Sequence, residues 1–195
     1  MAEYFIFGSL TVWNIVMTVR ERGKASEFYA HLSLAIFFGA ILPVLFLSHH
    51  AGSGQAFVTV PVSIPALRIT GIGMVTAGIS IYIPSLRALK TGGNPRKGSH
   101  LETEELVTSG IYRYARHPMA LAVLLICLGL VLWWLHIAAV IAYAVPVIFY
   151  IIAMRREENE LVHKFGEDYL EYRKRVPALN IIRGRYRVLN SGSNQ

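Results

Sequence analysis

The chain has 195 residues, 54% of them hydrophobic and 16% charged, with a formal net charge of +7 and a mean hydropathy of +0.45. That apolar excess excludes an ordinary soluble globular domain, so the position of the basic residues decides what the positive charge is for. The one cysteine, Cys127, lies in the apolar stretch Leu124 to Leu135, which leaves no intrachain disulfide and no thiol pair for metal or redox work.

A membrane-spanning helix needs roughly 20 mostly apolar residues, somewhat fewer when its ends are anchored at the interface. Five segments meet this: Tyr4 to Val19, Phe28 to Ser48, Pro65 to Leu86, Pro118 to Leu135 and Ile137 to Met154. The first lacks a basic leader and a small-residue cleavage site, so it reads as a retained span. His31, near the start of the second, is expected to be a packed or interfacial histidine. His49 and His50 form an adjacent pair without a third ligand, too little for a metal site. Pro43, Pro84 and Pro146 each remove a backbone donor inside a span, which membrane helices tolerate when neighbours satisfy the freed carbonyl. Only His136 separates the last two spans, and so short a connection predicts an antiparallel helical hairpin.

Orientation follows from the basic residues. Arg20, Arg22 and Lys24 follow the first span. Six more lie between Leu86 and His117 and nine after Met154, so 18 of the 19 fall in three segments that share one side if five helices alternate; Arg68 is the exception. The sequence therefore predicts an all-α, five-span membrane protein with its N-terminus outside and its C-terminus cytoplasmic. It reads as one domain: three helices over 1–89, a cytoplasmic loop over 90–117, the hairpin over 118–154, and a cytoplasmic helical extension over 155–195 ending in a disordered tail from Asn190 to Gln195.

Two stretches can carry chemistry. Leu106 to Pro118 reads LVTSGIYRYARHP: a Ser109–Gly110 turn, two tyrosines, then Arg116 and His117 leading into a helix that opens on Pro118. Proline suits a first helical turn, and the free donors there can seat a carboxylate or phosphate. Folding the hairpin about His136 brings Arg155, Arg156, Glu157 and Glu158 of the second stretch to the depth of His117. Carboxylates there can accept an amino group or a hydroxyl pair, and arginines can hold an anion bidentately. The same residues also fit a capped helix with interfacial tyrosines and a charged helix continuation, and physics alone leaves both readings open.

The sequence resembles the isoprenylcysteine carboxyl methyltransferase family. LVTSGIY (Leu106 to Tyr112), RHP (Arg116 to Pro118), the pair Glu157 and Glu158, and FGEDYLEYRKRVP (Phe165 to Pro177) carry the resemblance, in order and with two apolar helices between. It implies an S-adenosylmethionine-dependent membrane methyltransferase with cofactor contacts at Glu104, Leu106, Val107, Tyr112, His117, Pro118, Ala120 and Glu157. Family members often have an aromatic residue where Ala120 stands. Arg155, Arg156 and Glu158 are the expected catalytic group, with Arg155 and Arg156 alternative candidates for the arginine that precedes the glutamates. No metal is implied. The expected acceptor is lipophilic, a small molecule or a prenylated chain met within membrane lipid, with a carboxylate of the isoprenylcysteine type favoured.

An NADPH-dependent membrane reductase of sterol-like or isoprenoid lipids is the competing enzyme reading, since Arg87 to Lys97 could hold a phosphate. A transporter is disfavoured because no ionisable residue lies deep in the last three spans. Nucleic-acid binding is disfavoured because topology accounts for the basic residues.

Overall fold

The computed structural model describes residues 2–20, 25–50, 65–94, 103–134 and 137–192, and among these every regular element is helical. In chain order they are α1 (Ala2–Arg20), α2 (Ala25–His50), α3 (Pro65–Gly92), a 3-10 turn (Gly110–Arg113), α4 (Pro118–Trp134), α5 (Ile137–Phe165), α6 (Glu167–Arg175) and α7 (Ile181–Gly192). The five apolar segments are thus helical throughout their described residues. Pro65–Gly92 and Ala139–Phe165 are long and apolar enough to cross a membrane; Glu27–Pro43 and Pro118–Trp133 are shorter apolar helices. Residues 21–24, with Arg22 and Lys24, residues 51–64, 95–102, 135–136 with His136, and the last three residues lie outside the described residues, as do the side chains of His49 and His50.

Two helices outrun their apolar stretches. Leu86 to Lys90 are mostly good helix formers, so α3 continues to Gly92, where Gly93 N–H donates to Leu89 O at 3.0 Å and Asn94 turns left-handed at φ 46°. Likewise α5 carries on through Arg155–Phe165, rich in Arg and Glu, and stops only at Gly166 with φ 55°. At the C-terminus, Asn190 to Gly192 belong to α7 and not to a loose tail, which corrects the sequence expectation.

The chain forms two compact units, residues 1–75 with 127–157 and residues 76–126 with 158–195. In the first, α1 packs on α2 through Phe7 and Phe38, with ring centroids 5.8 Å apart. Phe37 is fully buried beside Tyr143 of α5 at 6.5 Å. Buried Asn14 donates to Leu10 O at 2.8 Å, and its Oδ1 lies 3.1 Å from His31 Nδ1. His31 is therefore a packed, hydrogen-bonded histidine, as expected. Gly71 of α3 and Gly129 of α4 meet backbone to backbone: a Cβ on Gly129 would stand 2.6 Å from Gly71 O, and one on Gly71 2.7 Å from Gly129 O. In lipid, where hydrophobicity drives no helix pairing, such small-residue contacts supply the packing.

The second unit is built around α6. Tyr169, Tyr172 and Val176 are spaced to share one face, and they bury against Leu106, Leu161, Val162 and Phe165. Glu167 and Asp168 in the first turn of α6 and Arg173, Lys174 and Arg175 in its last complement the helix dipole. Val176 then turns extended before Pro177, as residues preceding proline do.

Candidate functional site

Leu106 to Pro118 runs as a loop, the 3-10 turn and the start of α4, all within the second unit. Gly110 takes φ 60°, a conformation that suits glycine, and lets the chain enter the turn. Tyr112 N–H donates to Ser109 O at 3.2 Å, and Tyr114 N–H to Ile111 O at 3.0 Å. Leu106 packs against the α6 tyrosines, while Val107 and Tyr112 are buried. The rest of the support comes from far along the chain. Tyr172 OH donates to Tyr112 O at 2.7 Å. The amides of Arg116 and His117 donate to Pro177 O at 3.0 Å and Ala178 O at 2.9 Å.

These two amides precede a helix whose first turn has no internal acceptors for its donors. With the RHP turn clamped in this way, Pro118 begins α4, and Leu121 N–H closes the first turn on His117 O at 3.2 Å. His117 is only 4% exposed, and Pro118 and Ala120 are buried beside it in sequence.

Glu158 joins this group. Its Oε1 lies 3.2 Å from His117 Nε2 and in direct contact with the Arg116 guanidinium; its Oε2 is 3.5 Å from Arg173 Nε. An ionised carboxylate only accepts, so the imidazole proton belongs on Nε2. The His117 hydrogen bond holds the Glu158 carboxyl below its ordinary range, burial opposes this, and the charges of Arg116, His117 and Arg173 reinforce it. Arg116 Nε is buried and has no hydrogen-bond partner among the described residues.

The expected site residues thus divide. Leu106, Val107, Tyr112, His117, Pro118, Ala120 and Glu158 fall in the second unit, together with Glu104, an exposed residue whose Oε2 is 3.5 Å from Asn94 Nδ2. Arg155, Arg156 and Glu157 are exposed and fall in the first unit, where the Arg156 guanidinium stands 5.0 Å from the ring centre of Tyr29. Sequence reasoning gave no chemical role to Arg116, Arg173 or Tyr172. Their signal was present in the RHP and DYLEYRKRVP motifs, but the pairing partners lie 42 and 60 residues away for Arg116 and Tyr172.

A family model described as phospholipid methyltransferase matches residues 67–168, a little over half of the chain. Human protein-S-isoprenylcysteine O-methyltransferase is 33% identical over 121 residues, covering 60% of this chain and 43% of that protein. The mouse protein of the same name is 38% identical over 85 residues, covering 43% of this chain and 30% of its own length. Protein-S-isoprenylcysteine O-methyltransferase B of Arabidopsis thaliana is 36% identical over 78 residues, 40% of each chain. The matched regions span less than half the length of these curated relatives. No solved structure matches. The resemblance to isoprenylcysteine carboxyl methyltransferases is borne out, and the reductase reading finds no support. The chain belongs to the phospholipid methyltransferase family.

Proposed function

We propose that this protein is a five-span membrane enzyme that transfers a methyl group from S-adenosylmethionine to a lipophilic carboxylate of the isoprenylcysteine type at the cytoplasmic face. The observation that carries this reading is the part-buried cluster of Arg116 and Glu158 around the buried His117 at the start of α4, within the family-matched region. The hairpin of α4 and α5 is supported by the same contacts, because they bring residues before α4 against residues beyond the apolar part of α5.

The residues present suit a zwitterionic nucleoside cofactor. Its carboxylate fits the free donors of the α4 first turn and the unpartnered buried Nε of Arg116. Its ammonium and ribose hydroxyls suit a carboxylate such as Glu104, and its adenine suits the apolar side chains of Leu106, Val107 and Tyr112; Pro118, Ala120 and Glu157 are the further contacts that the family resemblance implies. When bound, the cofactor supplies an electrophilic methyl group on a sulfonium. Glu158 serves as a positioning residue that orients His117 and Arg116. Arg155 or Arg156 holds the acceptor carboxylate, leaving one oxygen free to attack, and exclusion of water and alignment supply most of the rate.

The state of Glu158 favours a carboxylate over an amine acceptor. An ammonium must lose a proton before it attacks, and a carboxyl held below its ordinary range by the His117 hydrogen bond and the neighbouring arginine charges is a poor base. A carboxylate needs none. The test is transfer of labelled methyl from S-adenosylmethionine to farnesylcysteine analogues and to phosphatidylethanolamine in parallel. Methyl ester on farnesylcysteine is expected; label on the phospholipid amine alone would overturn the acceptor class, and no label on either would overturn the enzyme reading.

A further inference from the structure

We propose that α7 is an interfacial helix that lies along the bilayer surface and holds anionic phospholipid headgroups. Its inner side is fixed to the protein. Gly184 is buried, and a Cβ there would lie 1.8 Å from the Tyr114 carbonyl oxygen, so α7 rests backbone to backbone on the 3-10 turn region. Tyr114 precedes by four residues the point where α4 begins its apolar run at Pro118. That places α7 where α4 enters hydrocarbon, and the proposal rests on α4 being a membrane helix.

The opposite side of α7 is unlike a water-facing surface. Ile182 is 84% and Tyr186 66% exposed, and residues four apart share a face. At about 100° per residue, the exposed Arg183 and Arg185 flank this ridge, one on each side. No aspartate or glutamate follows Glu171 in the sequence, so no acidic group of this segment neutralises them. An apolar ridge between two arginines matches a helix lying in the headgroup layer: isoleucine and tyrosine enter the acyl boundary while the guanidinium groups reach phosphate. Charge complementarity selects anionic over zwitterionic lipid.

The full chain in lipid nanodiscs tests this. Cys127 is 1% exposed and stays unlabelled, so Ile182→Cys can carry an environment-sensitive fluorophore alone. Nitroxide lipids labelled near the headgroup should quench it, and more strongly when phosphatidylglycerol is added to phosphatidylcholine. Combining Arg183→Gln with Arg185→Gln should remove that increment, about fivefold in lipid preference per arginine. A fluorophore that stays in water in both lipids overturns the proposal, and so does equal quenching in both. Ile79→Cys, on the 46% exposed flank of α3, is the control. If a deep nitroxide lipid fails to quench it, the membrane reading itself falls and takes the proposal along; if Ile79→Cys is quenched and Ile182→Cys is not, only the α7 proposal fails.

Discussion

Replacing Glu158 by glutamine keeps the shape of the side chain and removes its charge. The Glu158 side chain is 14% exposed; those of Arg116 and His117 are 10% and 3% exposed, whereas Arg173 is half exposed at 49%. Hydrogen bonds to charged groups contribute about 1.5 to 3 kcal/mol each, and exposed ion pairs about 0 to 1 kcal/mol. Glutamine retains one acceptor oxygen, so the expected loss is about 2 to 3 kcal/mol, nearly all from Arg116 and His117. For a chain of this size that corresponds to a Tm lower by roughly 4 to 12 °C. Arg173→Gln should lower it by only a fraction of that. Thermal unfolding of the detergent-solubilised protein, followed by circular dichroism, measures both. A depressed carboxyl contributes stability that is fully present above the ordinary value of 4.5 and is lost as pH falls below it through the folded-state value. The gap between wild type and Glu158→Gln should therefore be flat above that value and close below it. A Glu158→Gln protein that melts with wild type at neutral pH, or an Arg173→Gln protein that melts as early as Glu158→Gln, would refute the reasoning.

Tyr172→Phe deletes the hydroxyl that donates to Tyr112 O; a loss of about 0.5 to 1.5 kcal/mol is expected, with weaker S-adenosylhomocysteine binding by calorimetry if that bond positions the loop. Gly129→Ala forces a methyl against Gly71 O and should cost about 1 to 3 kcal/mol as overpacking, read as a lower Tm, whereas alanine at Gly73, which has open space around it, should not. Alanine at Tyr112, His117 or Glu157 should each weaken S-adenosylhomocysteine binding, and unchanged affinity at all three removes the proposed cofactor site. Of Arg155→Lys and Arg156→Lys, one should lose most turnover while binding S-adenosylhomocysteine normally, because lysine keeps the charge but not the planar fork; full turnover in both would discard the carboxylate clamp.

The helices were legible because a membrane demands long apolar runs, and those runs end at charges and glycines that can be read directly. The start of α4 was legible for a similar reason, since Pro118 belongs in a first helical turn. Where the charged part of α5 sends its side chains was not. Glu157 and Glu158 are equivalent in composition and were read as a pair, yet neighbours on a helix point about 100° apart. Glu158 meets Arg116 and His117, while Glu157 is exposed. Arg116 was readable as a topology-setting charge, but its ion pair depends on a residue 42 positions away. No local pattern encodes that distance.

The same limit applies to the support of the loop, and it bears on how the site works. Leu106 to His117 makes few backbone hydrogen bonds of its own; Tyr172, Pro177, Ala178 and Gly184 hold it through Tyr112, Arg116, His117 and Tyr114. A loop held mainly by contacts to a separate segment opens when that segment detaches, so its local stability is that of the α6 to α7 docking. A ligand that orders the loop must then stabilise the C-terminal helices by the same free energy with which their docking favours the ligand. The tail from Tyr169 onward is therefore part of the site in energy, although no residue beyond Glu158 carries one of the expected cofactor or acceptor contacts.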